Sequence, residues 1–465
     1  MSSLASEFES FELQHDLFDI VIDDVPIWER LRFNVFRKIE QEHGSGQAHT
    51  GIERTPRNYL RVGELLVKNV FRRNPFLSDE ADVLYLGHQR RKKRADGLWW
   101  DIYCDPIHRA CDHEYIHLER PHLLTHFGPT PTSGLKYLDL IEFGGALQRS
   151  LGVREPRIEA AERAKLEAAG SDLHDQFGAT VDLVSMANEA LHTRRTTLGL
   201  YRRLLRRIEP ELVVVVVSYF RDTFIEACQR ESIPVAELQH GLIFDHHFGY
   251  SYRGSRTKRV FPDYVLTFGD YWSQGIEYPI PDDHVISVGY PYLEEAIREY
   301  ETGASTNQIL FISQGTIGED LSRLAVEVAS HPDMGYDVVY KLHPGEYERW
   351  TEEYPWLADA DLEVIDSSEP QLYSLFAESA AQVGVGSTAV FEGLAFDLET
   401  YIYDRPGSEA LAPLAQNGAA RMVSSADELV SSLGEETEPF DREYYFEPGA
   451  AENVCAVIDR LRTGE

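Results

Sequence analysis

Short runs of aliphatic and β-branched residues, four to eight long, alternate with helical stretches along most of this chain. The sharpest is "ELVVVVVS" at 211–218, a leucine followed by five valines. Such a run has no polar side, so it suits a strand covered on both faces, the position that a parallel sheet provides. "ADVLYLGH" (81–88), "HEYIHLE" (113–119), "PVAELQ" (234–239), "DYVLTFG" (263–269) and "HVISVG" (284–289) read the same way. Helical segments fall between them, notably 156–207 and 221–231. Strands of this length alternating with helices predict α/β units on a parallel sheet.

The rhythm restarts after "REYETGASTNQ" (298–308), a small and polar stretch expected to be an interdomain linker. "QILFISQG", "YDVVYKLHP", "LEVIDS" and "ETYIYD" read as strands of a second doubly wound domain. "EDLSRLAVEVASH", "STAVFEGLAFD" and "SADELVSSL" read as its helices. The first eighty residues read as helical, with Ile27, Leu31, Val35 and Ile39 at helical spacing. The tail "PGAAENVCAVIDRLRTGE" is a last amphipathic helix. The expected fold class is therefore α/β: two Rossmann-like doubly wound domains facing each other (GT-B). An N-terminal helical extension and a C-terminal closing helix complete it. The expected divisions are 1–80 (extension), 81–300 (acceptor domain), 306–437 (nucleotide-donor domain) and 438–465 (closing helix). Ligands of open parallel sheets bind beyond the carboxyl ends of the strands. The loops to read are thus 87–97, 239–250, 313–318, 341–346 and 386–388.

Composition narrows the partners. The chain of 465 residues carries 44 basic and 78 acidic side chains, a net charge of −34. A surface so acidic repels nucleic acid. Only eight of the basic residues are lysines. Abundant carboxylates with scarce lysine suggest a halophilic cytoplasm, where molar salt screens charge within ~3 Å. Cys104, Cys111, Cys228 and Cys455 form no CxxC pair, so neither a disulfide framework nor structural zinc is expected, and a reducing cytoplasm fits. The N-terminus lacks the basic and apolar regions of a signal peptide. The longest apolar run, 212–220, is too short to span a bilayer. A cytoplasmic protein, at most peripheral at the membrane, is expected.

Three loops of the second domain carry chemistry. "ISQGTIG" (312–318) follows its first strand; Gln314, Gly315 and Thr316 can bring backbone amides to a phosphate. "YKLHPGE" (340–346) puts Lys341 and His343 two apart at a strand end, on one side of the pleat, with Pro344 fixing the turn. "VGVGSTAVFEGLAF" (383–396) reads as strand, turn and helix. Ser387 and Thr388 sit at the helix start, where the helix dipole adds ~0.3–1 kcal/mol toward an anion. Glu392 lies a turn further and can reach a ribose.

These motifs resemble GT-B glycan transferases, above all the CDP-glycerol glycerophosphotransferases and the capsule polysaccharide transferases. The resemblance rests on "LHP" and "GSTAVFEGL" with a QHG loop in the first domain, and extends loosely over 80–430. It implies that His343, Ser387 and Thr388 hold the donor's nucleotide phosphates, and that His240, just before Gly241, is the general base. The polysialyltransferase-like branch has an acidic residue at that position, which counts against sialic acid as the sugar.

"PVAELQHGLIFDHHFGY" (234–250) carries His240, His246 and His247. Metal binding needs convergent ligands, and only Asp245 stands beside them as an acidic partner, so no metal is expected. His240 at a strand end suits a base with a near-neutral pKa. His246 and His247 suit acceptor contacts. "HQRRKKRADG" (88–97) offers His88, Arg90 and Arg91 for an acidic glycan or a lipid-linked phosphate. Residues 59–76 can lie on a membrane, with Leu65, Leu66, Val70 and Phe71 down and Arg61, Lys68, Arg72 and Arg73 on headgroups. The function expected is inverting, metal-independent transfer of a sugar or polyol phosphate from a nucleotide-activated donor to a surface-glycan or lipid-linked acceptor, in capsule or other polysaccharide biosynthesis, with no cofactor. The alternatives are a non-hydrolysing nucleotide-sugar 2-epimerase, which has a similar "PVAELQHGL" region, and a non-catalytic glycan-binding protein.

Overall fold

The computed structural model describes residues 2–43, 55–254, 256–300, 307–435 and 440–464. The chain divides into two compact units. One comprises Glu7–Ile39, His49–Tyr292 and Glu447–Glu465; the other is built on Leu293–Phe446. Part of the linker expected at 298–308 lies outside the described residues; the helix Pro291–Tyr300 runs up to it.

The main sheet of the first unit has seven strands among the described residues: β1 (Val83–Leu86), β2 (Tyr115–Glu119), β3 (Leu135–Tyr137), β4 (Leu212–Val216), β5 (Val235–Leu238), β6 (Tyr264–Thr267) and β7 (Val285–Ser287). Their spatial order is β7-β6-β5-β4-β1-β2-β3, and every pairing is parallel. The valines of β4 explain the sheet's position. Val213 and Val215 pack on one face with Leu204, Leu205 and Ile208 of the helix Leu183–Ile208. Val214 and Val216 pack on the other with Ile107, Val454 and Ile458. Each such fully buried side chain contributes roughly 1.5–3 kcal/mol.

Val454 and Ile458 belong to the C-terminal helix Ala450–Thr463, so this helix completes the first unit. It also carries Cys455, which is disulfide-bonded to Cys111 across 344 residues of sequence. This corrects the expectation that no disulfide forms. Spacing along the chain cannot show a pair made by docking the last helix beside the helix Asp105–Ala110. Cys104 and Cys228 are free and buried.

The N-terminal segment is helical over Ser2–Gln14, Ile27–Glu42 and Pro56–Phe71. Phe8, Phe11 and Trp28 are fully buried, and Arg32 is buried against Glu12. Residues 7–39 are thus core of the first unit rather than a separate extension.

The second unit holds β8 (Gln308–Ile312), β9 (Asp337–Lys341), β10 (Glu363–Ile365), β11 (Ala381–Gly384), β12 (Glu399–Tyr403) and β13 (Arg421–Val423). The order is β10-β9-β8-β11-β12-β13, again all parallel. Ile309, Phe311, Val338, Tyr340, Val383 and Tyr401 pack with the helix Gly318–Ala329. Each sheet starts in its middle, runs to one edge, then returns past the first strand to the other. The chain reverses beside the first strand, at β1/β4 and at β8/β11, and ligands of such sheets lie at that point. The strands β3 and β13, three residues each, escape the sequence reading because "LKY" and "RMV" are too short to show a period.

Candidate functional site

At the carboxyl edge of the second sheet, the loops after β8, β9 and β11 stand on three neighbouring strands. Two side chains tie them. Gln314 accepts the amide of Gly386 at 2.7 Å, joining the first loop to the third. Glu346 is fully buried and joins the first to the second. It accepts the Ser313 hydroxyl (3.0 Å), the Tyr354 hydroxyl (2.9 Å) and the His343 amide (2.7 Å). The glycines are needed for this packing. Gly315 has φ +78°, and a Cβ at Gly318 would lie 2.5 Å from a Glu346 oxygen.

The sequence-predicted donor residues of this unit all lie on or just beyond these loops. Thr316 and Gln314 are half-buried, and Pro344 is exposed. Ser387 caps the helix Thr388–Leu394 by accepting the Ala389 amide at 3.2 Å, so its hydroxyl is engaged in the cap. Glu392 lies in that helix, half-buried. The ring of His343 accepts the Gly345 amide at 3.1 Å through Nδ1. Lys341 differs from the expectation. It is 8 % exposed, and its ammonium donates to the Tyr347 hydroxyl (2.9 Å) and the Ser367 carbonyl. Burial brings its pKa down to about 8, against the pull of Asp366 and Glu369. Glu346, the brace of the site, gives no sequence signal beyond an acidic residue after His-Pro-Gly.

In the first unit, His240 follows β5 by two residues. Tyr103 donates to its carbonyl (2.7 Å), Tyr219 meets Nε2 at 3.1 Å and Tyr250 meets Nδ1 at 3.5 Å. The Tyr250 hydroxyl donates to Glu237 at 2.5 Å, and Glu237 also accepts the Ser218 amide at 2.9 Å. With its proton given to Glu237, Tyr250 can only accept from Nδ1–H. That assigns the Nε2 lone pair to the Tyr219 side, and a chain Glu237–Tyr250–His240–Tyr219 results. Burial, with the His88 and His247 rings nearby, pushes the His240 pKa down to about 3. This lies below the near-neutral value expected from the sequence: His240 is half-buried, and the tyrosines around it disfavour the charged ring.

His88 stands beside His240, with ring centroids 6.4 Å apart, and its own pKa is lowered by burial. Arg90 is exposed. Arg91 does not join the surface patch. It is 3 % exposed, paired with Glu119 and with Asp105 (3.2 Å), and bonded to Thr130 and Thr132. It organises the interior, which leaves Arg90, Lys92 and Lys93 as the exposed cations of 88–94.

The three histidines of 234–250 diverge. His247 stacks on Phe33 (5.2 Å between centroids, 16°) and accepts the Gly249 amide, and burial holds its pKa at about 4. His246 lies 3.5 Å from Asp245. Among the described residues, the trio placed to share a cation is instead Asp101, Cys104 and His117, all buried. Asp101 already accepts the amides of His88, Tyr103 and Cys104, a sufficient structural role for it.

The loop after β4 (217–221) is a part of the site that sequence reading missed. Val217 has φ +69°, a strained conformation for a β-branched residue. It sets Tyr219 against His240. In the helix Pro56–Phe71, Leu65 is buried, whereas Tyr59, Leu60, Val67, Val70 and Phe71 are exposed. The outward apolar face is therefore rotated from the one expected. No described helix is long and apolar enough to cross a membrane.

No family model matches this chain, and no curated protein sequence matches it. Among solved structures it is similar to the UDP-GlcNAc 2-epimerase of Neisseria meningitidis bound to UDP-GlcNAc. The identity is 11 %, over 82 % of this chain and 99 % of that one, with a TM-score of 0.49. It is also similar to MurG of Acinetobacter baumannii (12 % identity, 81 % and 99 % coverage, TM-score 0.44). A third is the wall teichoic acid polymerase TagF (10 % identity, 88 % and 99 % coverage, TM-score 0.41). Likeness at this level carries no information on reaction or substrate.

Proposed function

We propose that the chain is a glycosyltransferase of GT-B type, moving a sugar or polyol phosphate from a nucleotide-activated donor to a surface-glycan or lipid-linked acceptor. The observation that carries this reading is the hydrogen-bonded series Glu237–Tyr250–His240–Tyr219 beyond the carboxyl edge of the first sheet. The donor's phosphates bind the loops of the second unit, at Gln314–Thr316, Lys341, His343, Pro344, Ser387 and Thr388, with Glu392 on the ribose. Their amides and the Lys341 ammonium stabilise the departing phosphate.

His240 takes the proton of the acceptor hydroxyl on Nε2, once that hydroxyl has displaced the Tyr219 hydroxyl there. The acceptor oxygen forms its bond to the reacting centre as the bond to the donor phosphate breaks, and that electron pair leaves with the phosphate. Displacement at an anomeric carbon then inverts it. Glu237, reached through Tyr250, offers the counter-charge for the imidazolium. His88 and Arg90 border the acceptor, with His246 further along the loop. No metal or cofactor enters these steps. The face Tyr59, Leu60, Val67 and Phe71 with Arg72 and Arg73 is a peripheral membrane contact.

The test is a pair of measurements on the same variants. His240→Ala is expected to lose transfer and keep nucleotide affinity; His343→Ala is expected to lose nucleotide affinity. Full transfer by His240→Ala, or unchanged nucleotide binding in both His343→Ala and Lys341→Ala, would overturn the reading.

A further inference from the structure

The first unit contains a cavity of about 350 Å³, enough for a small ligand. Its wall includes Tyr219, the residue that touches His240 Nε2, and three arginines, Arg120, Arg149 and Arg221. Arg120 is matched by Glu142 at 2.9 Å. The other oxygen of Glu142 accepts the Tyr201 hydroxyl at 2.8 Å, so this carboxylate is fully engaged. A fourth arginine in the wall, Arg30, is matched by Glu226 at 2.7 Å.

Arg149 and Arg221 have no such direct match, although Glu189, also in the wall, attracts Arg149 from beyond ion-pair distance. Among the described residues, neither has a carboxylate within ion-pair distance. Arg149 reaches the Thr196 hydroxyl at 3.4 Å. Arg221 is 8 % exposed; its one hydrogen bond, to the Phe220 carbonyl, is 3.5 Å long, and its Nε has no partner. A guanidinium buried without a counter-ion is destabilising. Its neighbours deepen the cost: burial and the adjacent Arg120 bring the Arg221 pKa down to about 9, although Glu142 pulls the other way. The backbone that delivers it is strained as well, at Val217. Unmatched buried charge and backbone strain on one loop are characteristic of a place built for a ligand rather than for stability.

We infer that this cavity binds an oxyanion, a phosphate or carboxylate carried by a hydroxyl-bearing molecule, with Arg221 and Arg149 as its counter-charges. Guanidinium suits either group through paired N–H donors. Thr193 and Tyr219 also line the cavity, and their hydroxyls suit a polyol or sugar; the Thr197 hydroxyl is given to the Thr193 carbonyl at 2.8 Å. Resting on the reading of His240 as base, the bound molecule is the acceptor. Its anionic group is anchored at Arg221, and a hydroxyl is turned toward Tyr219 and His240.

The test uses the full chain, with inorganic phosphate, acetate and uncharged glycerol as probes in calorimetric titrations at fixed ionic strength. Phosphate or acetate is expected to bind saturably and glycerol not; the tighter of the two anions identifies the group. Arg221→Gln and Arg149→Gln are each expected to weaken anion binding about tenfold or more. Arg157→Gln, an exposed arginine outside this cavity, is expected to leave this binding unchanged. Arg221→Gln is also expected to melt at a higher temperature than the unmodified chain without anion, and to lose the stabilisation that added phosphate gives. Anion affinity unaffected by Arg221→Gln, or weakened as much by Arg157→Gln, would overturn the inference. Full transfer by His240→Ala would remove the acceptor role and leave an anion-binding cavity, so the two failures are distinguishable.

Discussion

The two sheets share one pattern of strand order, yet their carboxyl edges are built differently. In the second unit, the loops are laced by short side-chain-to-amide bonds: Gln314 to Gly386, Glu346 to His343. The result fixes backbone, the material from which a phosphate cradle is made. In the first unit, the edge is lined by aromatic rings and ionisable groups, with half-buried His240 between Tyr219 and Tyr250 and Arg221 without a carboxylate at ion-pair distance. One topology thus supports a hydrogen-bonded cradle of amides and a half-buried pocket of shifted pKa values. The second kind is where acid–base chemistry is expected.

The largest effect should fall on the first edge. His240→Ala is expected to slow transfer by about 10²–10⁴-fold, with nucleotide affinity and melting temperature kept. If slowing is accompanied by an equal loss of nucleotide binding, the two edges do not divide the work as their construction indicates.

The braces should differ in what they hold. Glu346→Ala strands the Ser313 and Tyr354 hydroxyls and the His343 amide, and is expected to cost about 2–4 kcal/mol in urea denaturation and to weaken nucleotide binding. Glu346→Gln should recover part of both. The first unit has a covalent brace instead. Reducing Cys111–Cys455 is expected to cost about 2–4 kcal/mol while leaving nucleotide affinity alone. Unchanged stability after either treatment would remove that brace from the comparison.

A smaller effect should come from Lys341. With its pKa lowered to about 8, the amine is charged below that pH and neutral above it. Nucleotide affinity is therefore expected to fall about tenfold in all as pH rises through this range. Lys341→Met should abolish the dependence. A profile flat beyond pH 8 in the unmodified chain would show that the ammonium does not meet the donor.

Legibility in the sequence followed how local the physics was. β4 was readable because five valines allow little but a strand with two covered faces. The loops after β8, β9 and β11 were readable because Gly-, Pro- and Ser-based turns carry their geometry in their own residues. Glu346, Tyr219 and Arg221 were not, since their roles arise from partners that folding brings to them. The Cys111–Cys455 pair failed for the same reason. Arg91 was misleading in the opposite sense: "RRKK" looks like a surface patch, but its second arginine turns inward to Glu119 and Asp105. N-terminal periodicity showed helices without showing that they enclose Trp28 and Arg32 within the first unit.

The smallest expected effect is an absence of change, and it separates the two accounts of His240 most cleanly. A strand-end histidine in water would have a pKa near 6.5, and transfer would fall about tenfold per pH unit below it. The histidine in this structure is held near 3 because burial penalises the imidazolium. A lowered pKa means that the neutral, proton-accepting form persists as acid is added. Protonation of His240 therefore takes no active enzyme away between about pH 7 and about pH 5. The measurement is the transfer rate at saturating donor across that interval, beside Tyr219→Phe and Tyr250→Phe. Tyr219→Phe takes away the hydroxyl at Nε2, and Tyr250→Phe takes away the link to Glu237. A flat profile in the unmodified chain, with a lower but still flat rate in Tyr250→Phe, fits a half-buried base whose imidazolium is supported through Tyr250. A histidine-like fall centred near 6.5 in the unmodified chain would place His240 in water when it acts. It would remove the distinction between a first edge of shifted pKa values and a hydrogen-bonded second one.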